Sequence, residues 1–194
     1  MEREGKEARR VRGILGALHR LHRFLREELR GRWNRTLPFS ETVFDRWEKA
    51  RFLGFGEGSS VYDSCHIFGD VTVGENTWVG PFTILDGTGG LEIGSHCSIS
   101  AGVQIYTHDT VRWAVSGGKE PPSRSPVKIM DRCYIGPNAV ISRGVTIGPG
   151  AVVGANSLVL ADVPAGAKVY GTPARPATDK RGPRDNRPSG EGED

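Results

Sequence analysis

Aliphatic and aromatic residues recur along this chain with a period of six. They open successive hexads at Phe55, Val61, Ile67, Val73, Val79 and Leu85, then at Ile93, Ile99 and Ile105. After a gap they resume at Ile129, Ile135, Ile141, Ile147, Val153 and Val159. Four places after nearly every one comes a small or β-branched residue, such as Ser59, Cys65, Thr77, Cys97, Cys133 or Ala151, and a glycine often follows the apolar residue directly, as at Gly74, Gly80, Gly136 and Gly148. An α-helix has no use for this pattern, because six positions do not return a residue to the same helical face, and the β-branched and glycine content opposes helix. A solenoid does use it. If each hexad is one short strand and a turn, its first and fifth positions point inward and stack on their equivalents in neighbouring coils. The glycine is then expected to give the corner its backbone freedom.

The interruptions carry as much information as the repeat. Between Asp86 and Glu92 one repeat is stretched by two residues, which predicts a bulge in the wall near Asp86. After Ile105 the period stops, and the segment 106–126 holds His, Asp, Arg, Trp and Lys together. A long loop in an otherwise regular solenoid is where function is expected. Ahead of the repeats, residues 1 to about 32 read as a basic helix with an apolar stripe through Val11, Ile14, Leu15, Leu18, Leu21, Leu25 and Leu29. The aromatic-rich stretch from Trp33 to Leu53 is expected to cover the open end of the coil stack. Beyond Arg175 almost nothing is apolar, so 176–194 reads as a disordered tail. The chain therefore divides into a helical and capping segment, 1–54, a repeat domain, 55–175, and the tail.

The hexads VGENTW, IGPNAV, IGPGAV and VGANSL, with the closing run Gly171-Thr-Pro-Ala-Arg175, resemble the hexapeptide-repeat acyltransferases. The run Tyr106-Thr-His-Asp109 resembles the branch of that family acting on bacterial sugars and polysaccharides. The resemblance implies a mainly β protein, a left-handed parallel β-helix of about five coils with an N-terminal helical segment and one long inserted loop. It also implies a homotrimer, with acetyl-CoA as acyl donor in a groove between subunits and no metal.

Bulk properties narrow the setting. The net charge of +3 hides a strongly basic N-terminal region. That region suits packing on the β-helix or a neighbouring subunit, or peripheral contact with an anionic membrane; no basic face continues elsewhere to suit nucleic acid. Cys65, Cys97 and Cys133 are an odd set that cannot all pair, and all fall on inward fifth positions, so buried packing is expected rather than disulfides or metal ligation. With neither a membrane-spanning stretch nor a signal-peptide core, a reducing, cytoplasmic location is expected.

Moving an acyl group from a thioester to a hydroxyl requires a base, a donor for the developing oxyanion, and a site aligning the two substrates. Histidine is the side chain that titrates near neutrality unaided. His108, just after the Ile105 hexad, is the candidate base, where the resemblance also puts the catalytic histidine. Asp109, its neighbour, and Asp86, at the bulge about one coil earlier, are the candidate orienting partners. Trp113 and Arg112 are candidates for the sugar acceptor, by stacking and by charge. Resemblance nominates Ser100, Ala155 and Arg175 as contacts of the coenzyme; charge alone adds Lys168. No G-x-S-x-G elbow suggests a nucleophilic serine, so direct transfer in a ternary complex is expected. N-acylation of an amino-sugar nucleotide is the alternative acceptor chemistry. A zinc protein of the γ-carbonic-anhydrase type, drawing on His66, His96 and His108, and a catalytically silent scaffold remain as further alternatives.

Overall fold

The structure, a computed structural model, describes residues 2–177; the expected tail lies outside the described residues from position 178 onward. Three walls of short parallel strands enclose a narrow apolar core. The first wall stacks Ser60–Val61, Trp78–Val79, Ser98–Ile99, Tyr134–Ile135, Val152–Val153 and Lys168–Tyr170. The second and third walls form one continuous sheet, because strands His66–Val73 and Ile84–Ile93 bend around the corner between them. Register follows the hexads: Val61 lies over Val79, Val79 over Ile99, Ile99 over Ile135, and Ile135 over Val153. These hexad leaders are buried, and so are Leu85, Ile105 and Ile141 of the second wall and Ile93, Ile129 and Ile147 of the third.

The fifth position does more than fill space. Ser59 Oγ donates to Gly74 O at 2.7 Å and accepts from Thr77 N at 2.8 Å, while Thr77 Oγ1 donates to Gly94 O at 2.8 Å and accepts from Cys97 N at 3.0 Å. Cys97 and Cys133 continue this ladder, Cys97 Sγ donating to Met130 O and Cys133 Sγ to Gly148 O, and on the next corner Cys65 Sγ donates to Gly80 O. All three are free and buried, and burial pushes the Cys65 thiol up. Each is a small side chain with one proton to give to a carbonyl a coil away.

The glycines after the hexad leaders have a different reason from the one the sequence suggests. A Cβ on Gly136 would stand 2.6 Å from Ala155 N and one on Gly148 2.5 Å from Ala165 N, so adjacent coils approach too closely for a side chain. The left-handed backbone falls two places later, on Asn76, Phe82, His96, Asn138, Gly150 and Asn156, and on Arg132 in the equivalent place after Met130.

At the N-terminal end, α1 (Glu2–Trp33) leads into the short helices α2 (Phe39–Val43) and α3 (Arg46–Phe52). Asp45 caps α3 by accepting from Trp47 N and Glu48 N. Helix α3 closes the coil stack: Ala50 packs into the core beside Phe55, and Lys49 Nζ donates to Tyr62 O and Asp63 O at 3.1 and 2.9 Å. Glu41 of α2 accepts from Asp63 N, Ser64 N and Ser64 Oγ. At the other end, Arg175–Pro176 adds antiparallel to Lys168–Tyr170, so the sheet runs into the first residues of the segment read as tail.

Candidate active site

One corner, between the second and third walls, collects the chemistry. The pairing Gly69 with Gly87 shifts to Val71 with Leu91, so the two extra residues swell the wall beside Asp86. The prism then continues as if the loop 106–126 were absent, with Gln104–Ile105 pairing directly to Val140–Ile141. The loop is itself ordered. Its stem, His108–Asp109, pairs antiparallel with Ser123–Arg124, and its tip carries a fourth helix, α4 (Val111–Val115).

Asp86 is buried, and its carboxylate is fully engaged. Oδ1 accepts from Thr88 N at 3.0 Å; Oδ2 accepts from Thr107 N at 2.8 Å and stands 2.6 Å from Nδ1 of His108. Burial acts to raise its pKa, but hydrogen bonds from Thr88, Thr107 and His108 outweigh it and hold the carboxyl far below the usual carboxylate range. An ionised carboxylate only accepts, so Nδ1 of His108 carries the proton of this contact, and in the neutral ring Nε2 is the accepting nitrogen. The Asp86 side chain is 3% exposed and that of His108 35%, so the pair runs from the core to the surface.

Thr107 ties the bulge to the loop. Its hydroxyl donates to Asp86 O at 2.8 Å, lies 3.2 Å from the carboxylate, and accepts from Gly89 N at 2.7 Å. Gly89 is required by close approach, since a Cβ there would sit 2.5 Å from Thr107 O.

Asp109 turns away from His108. Its Oδ2 pairs with Arg143 Nε and its Oδ1 accepts from Val111 N at 3.0 Å. The Arg143 guanidinium, with that amide, holds the Asp109 carboxyl below its usual range. Of the two carboxylates singled out in sequence, Asp86 is therefore the one against the imidazole. Arg112 and Trp113 stand exposed on α4 at the loop tip.

The four coenzyme candidates lie elsewhere on the prism. Ser100 and Ala155 sit on the corner that follows the first wall, Lys168 starts that wall's last parallel strand, and Arg175 lies on the antiparallel strand beside it. The second wall separates Ser100 and Ala155 from the His108 corner, and Lys168 and Arg175 belong to the first wall, which does not border it. His66 and His96 do not join His108. His66 stands near Phe68 on the second wall, and His96 occupies a left-handed turn. Among the described residues, no three His, Cys, Asp or Glu side chains group as a metal site.

Thr107 and Arg143 went unread in the sequence. Their signal was register: each stands two places after a hexad leader of the second wall, Ile105 and Ile141, so excising the loop stacks one corner on the other.

Comparison with known proteins agrees with this architecture. The profile of the bacterial transferase hexapeptide (six repeats) matches residues 126–161. The solved hexapeptide-repeat-containing acetyltransferase VCA0836 of Vibrio cholerae shares 30% identity and covers 84% of this chain and 91% of its own, with a TM-score of 0.52. The chain belongs to the hexapeptide-repeat acyltransferases. Its β-helix is the left-handed one of that family. AntD, an N-acyltransferase from Bacillus cereus solved with dTDP and 3-hydroxybutyryl-CoA, is like this hexapeptide-repeat acyltransferase in fold: 24% identity, 63% of this chain, 70% of its own, TM-score 0.58. A 2,3,4,5-tetrahydropyridine-2,6-dicarboxylate N-acetyltransferase of Staphylococcus aureus is 57% identical over 61 residues, 31% of this chain; the match spans 26% of that relative's length.

Proposed function

We propose that this chain transfers an acetyl group from acetyl-CoA to a hydroxyl of a sugar or polysaccharide precursor, with His108 as general base. The observation that carries the reading is the buried Asp86 carboxylate against Nδ1 of the partly exposed His108, which leaves Nε2 as the nitrogen available to take a proton. A hydroxyl must lose its proton as it attacks, whereas a free amine attacks before losing one. A dyad that strengthens the base therefore suits oxygen. In the proposed step Nε2 takes the hydroxyl proton while the oxygen attacks the thioester carbonyl. The imidazolium, steadied by Asp86, then returns the proton to the departing thiolate.

Acetyl-CoA is assigned to the edge holding Ser100, Ala155, Lys168 and Arg175, with Arg175 meeting a phosphate. That edge and His108 lie on different corners of one prism, so the reading requires a second copy to bring its own edge to the dyad. A homotrimer with three such grooves meets the requirement. Arg112 and Trp113 are then acceptor contacts. N-acylation is the second reading, and the name of the Staphylococcus aureus relative favours it.

The experiment is to follow thiol release from acetyl-CoA with hydroxyl and amino-sugar acceptors, then treat the product with hydroxylamine. A cleaved ester supports the first reading and a resistant amide the second. His108→Ala is expected to lower turnover by about 10²- to 10⁴-fold; unchanged turnover would remove His108 from the mechanism.

A further inference from the structure

The longest element of the chain, α1, leaves its apolar side uncovered. Val11, Ile14, Leu15, Leu18 and Leu21 follow the spacing of one helical stripe, and each is between 43% and 57% exposed. The stripe meets the rest of the molecule at its C-terminal end, where Leu25 and Leu29 are half-buried and His22 stands edge-on to Phe39. The polar flanks carry one sign: from Ala8 to Arg26 there are Arg9, Arg10, Arg12, Arg20, Arg23 and Arg26, and no Asp or Glu. The helix is also weakened from within. A Cβ on Gly5, Gly13 or Gly31 would meet nothing within 4 Å, so no contact demands glycine there, and each costs about 1 kcal/mol relative to alanine. Such a helix gains most from an apolar layer beneath it.

We propose that α1 lies in the plane of an anionic lipid bilayer, its stripe at the boundary of headgroups and acyl chains and its arginines among anionic headgroups. Charge selects this occupant. Pairing with the same helix of a second copy would cover the stripe but set arginine against arginine, and nucleic acid would use the arginines and leave the stripe in water. Among the described residues no helix is long and apolar enough to cross a membrane, so α1 lies on the bilayer.

The test is co-sedimentation of the full chain with vesicles of equal parts phosphatidylcholine and phosphatidylglycerol, against phosphatidylcholine alone. Binding to the anionic vesicles is expected. Replacing Arg12, Arg20 and Arg23 by Gln should weaken it about a hundredfold, each arginine near the surface contributing about fivefold. Leu15→Glu with Leu18→Glu should release the chain from vesicles while the melting of the β-helix and turnover in solution stay unchanged. No partition onto anionic vesicles, or equal partition onto neutral ones, overturns the proposal. So does a drop in oligomeric mass of the Leu15/Leu18 variant in lipid-free buffer, which would make the stripe a subunit contact. None of these outcomes depends on which acyl transfer the dyad performs.

Discussion

His108 reaches Asp86 across a full coil of the prism, with Nδ1 2.6 Å from Oδ2. The contact exists because two insertions fall on one corner. The bulge after Asp86 and the loop after Ile105 leave the wall at stacked positions, so the carboxylate of one coil meets the imidazole of the next.

Asp86→Asn replaces a pure acceptor by a group that also donates, and an amide N–H facing Nδ1 moves the imidazole proton to Nε2. Turnover should then fall by about 10²- to 10⁴-fold with little change in KM for acetyl-CoA. Adding His108→Ala to Asp86→Asn should cost no more than His108→Ala alone, because the two residues act as a unit. Steady-state kinetics on the two single variants and the double variant test this; additive losses would mean that Asp86 acts apart from His108.

The same carboxylate links stability to acid. Its folded pKa lies below the value of about 3.9 for an unfolded Asp, so the unfolded chain takes up the proton first. The stabilisation is complete above the ordinary carboxylate range and is lost progressively as pH falls below it. Melting temperature followed from pH 5 downward should decline more steeply for the native chain than for Asp86→Asn. Parallel declines would show that Asp86 is not the group responsible.

Arg143→Ala should loosen the loop while leaving the prism intact. Arg143 joins the stem at Asp109 to the next coil, and both side chains are partly open to solvent, so little global stability depends on the pair. Amide exchange should quicken through residues 108–124, and turnover should fall several-fold, without a change in melting temperature. High salt should reproduce part of the effect in the native chain. Unchanged exchange in the stem would mean that the hairpin holds itself.

Much of this was legible because a period of six admits few other structures. The hexad leaders named the core, and the stretch from Asp86 to Glu92 named the bulge. The reason for the glycines was not legible: Gly136 and Gly148 are excluded from carrying a side chain by backbone in the next coil, and that distance is absent from a linear pattern. Arg143 was hidden because its partner, Asp109, precedes it by most of a loop and a coil, so a local reading never sets them side by side. The hairpin and helix within 106–126 were hidden for the opposite reason. Strands of two residues and a single-turn helix are too short to establish any period.

The pairing of Ser98–Ile99 with Tyr134–Ile135, and of Gln104–Ile105 with Val140–Ile141, closes the frame beneath the inserted segment without borrowing from it. The rungs of the frame thus do not depend on the insert. The insert can be redrawn at the bench as a cassette while every rung of the scaffold keeps its neighbour.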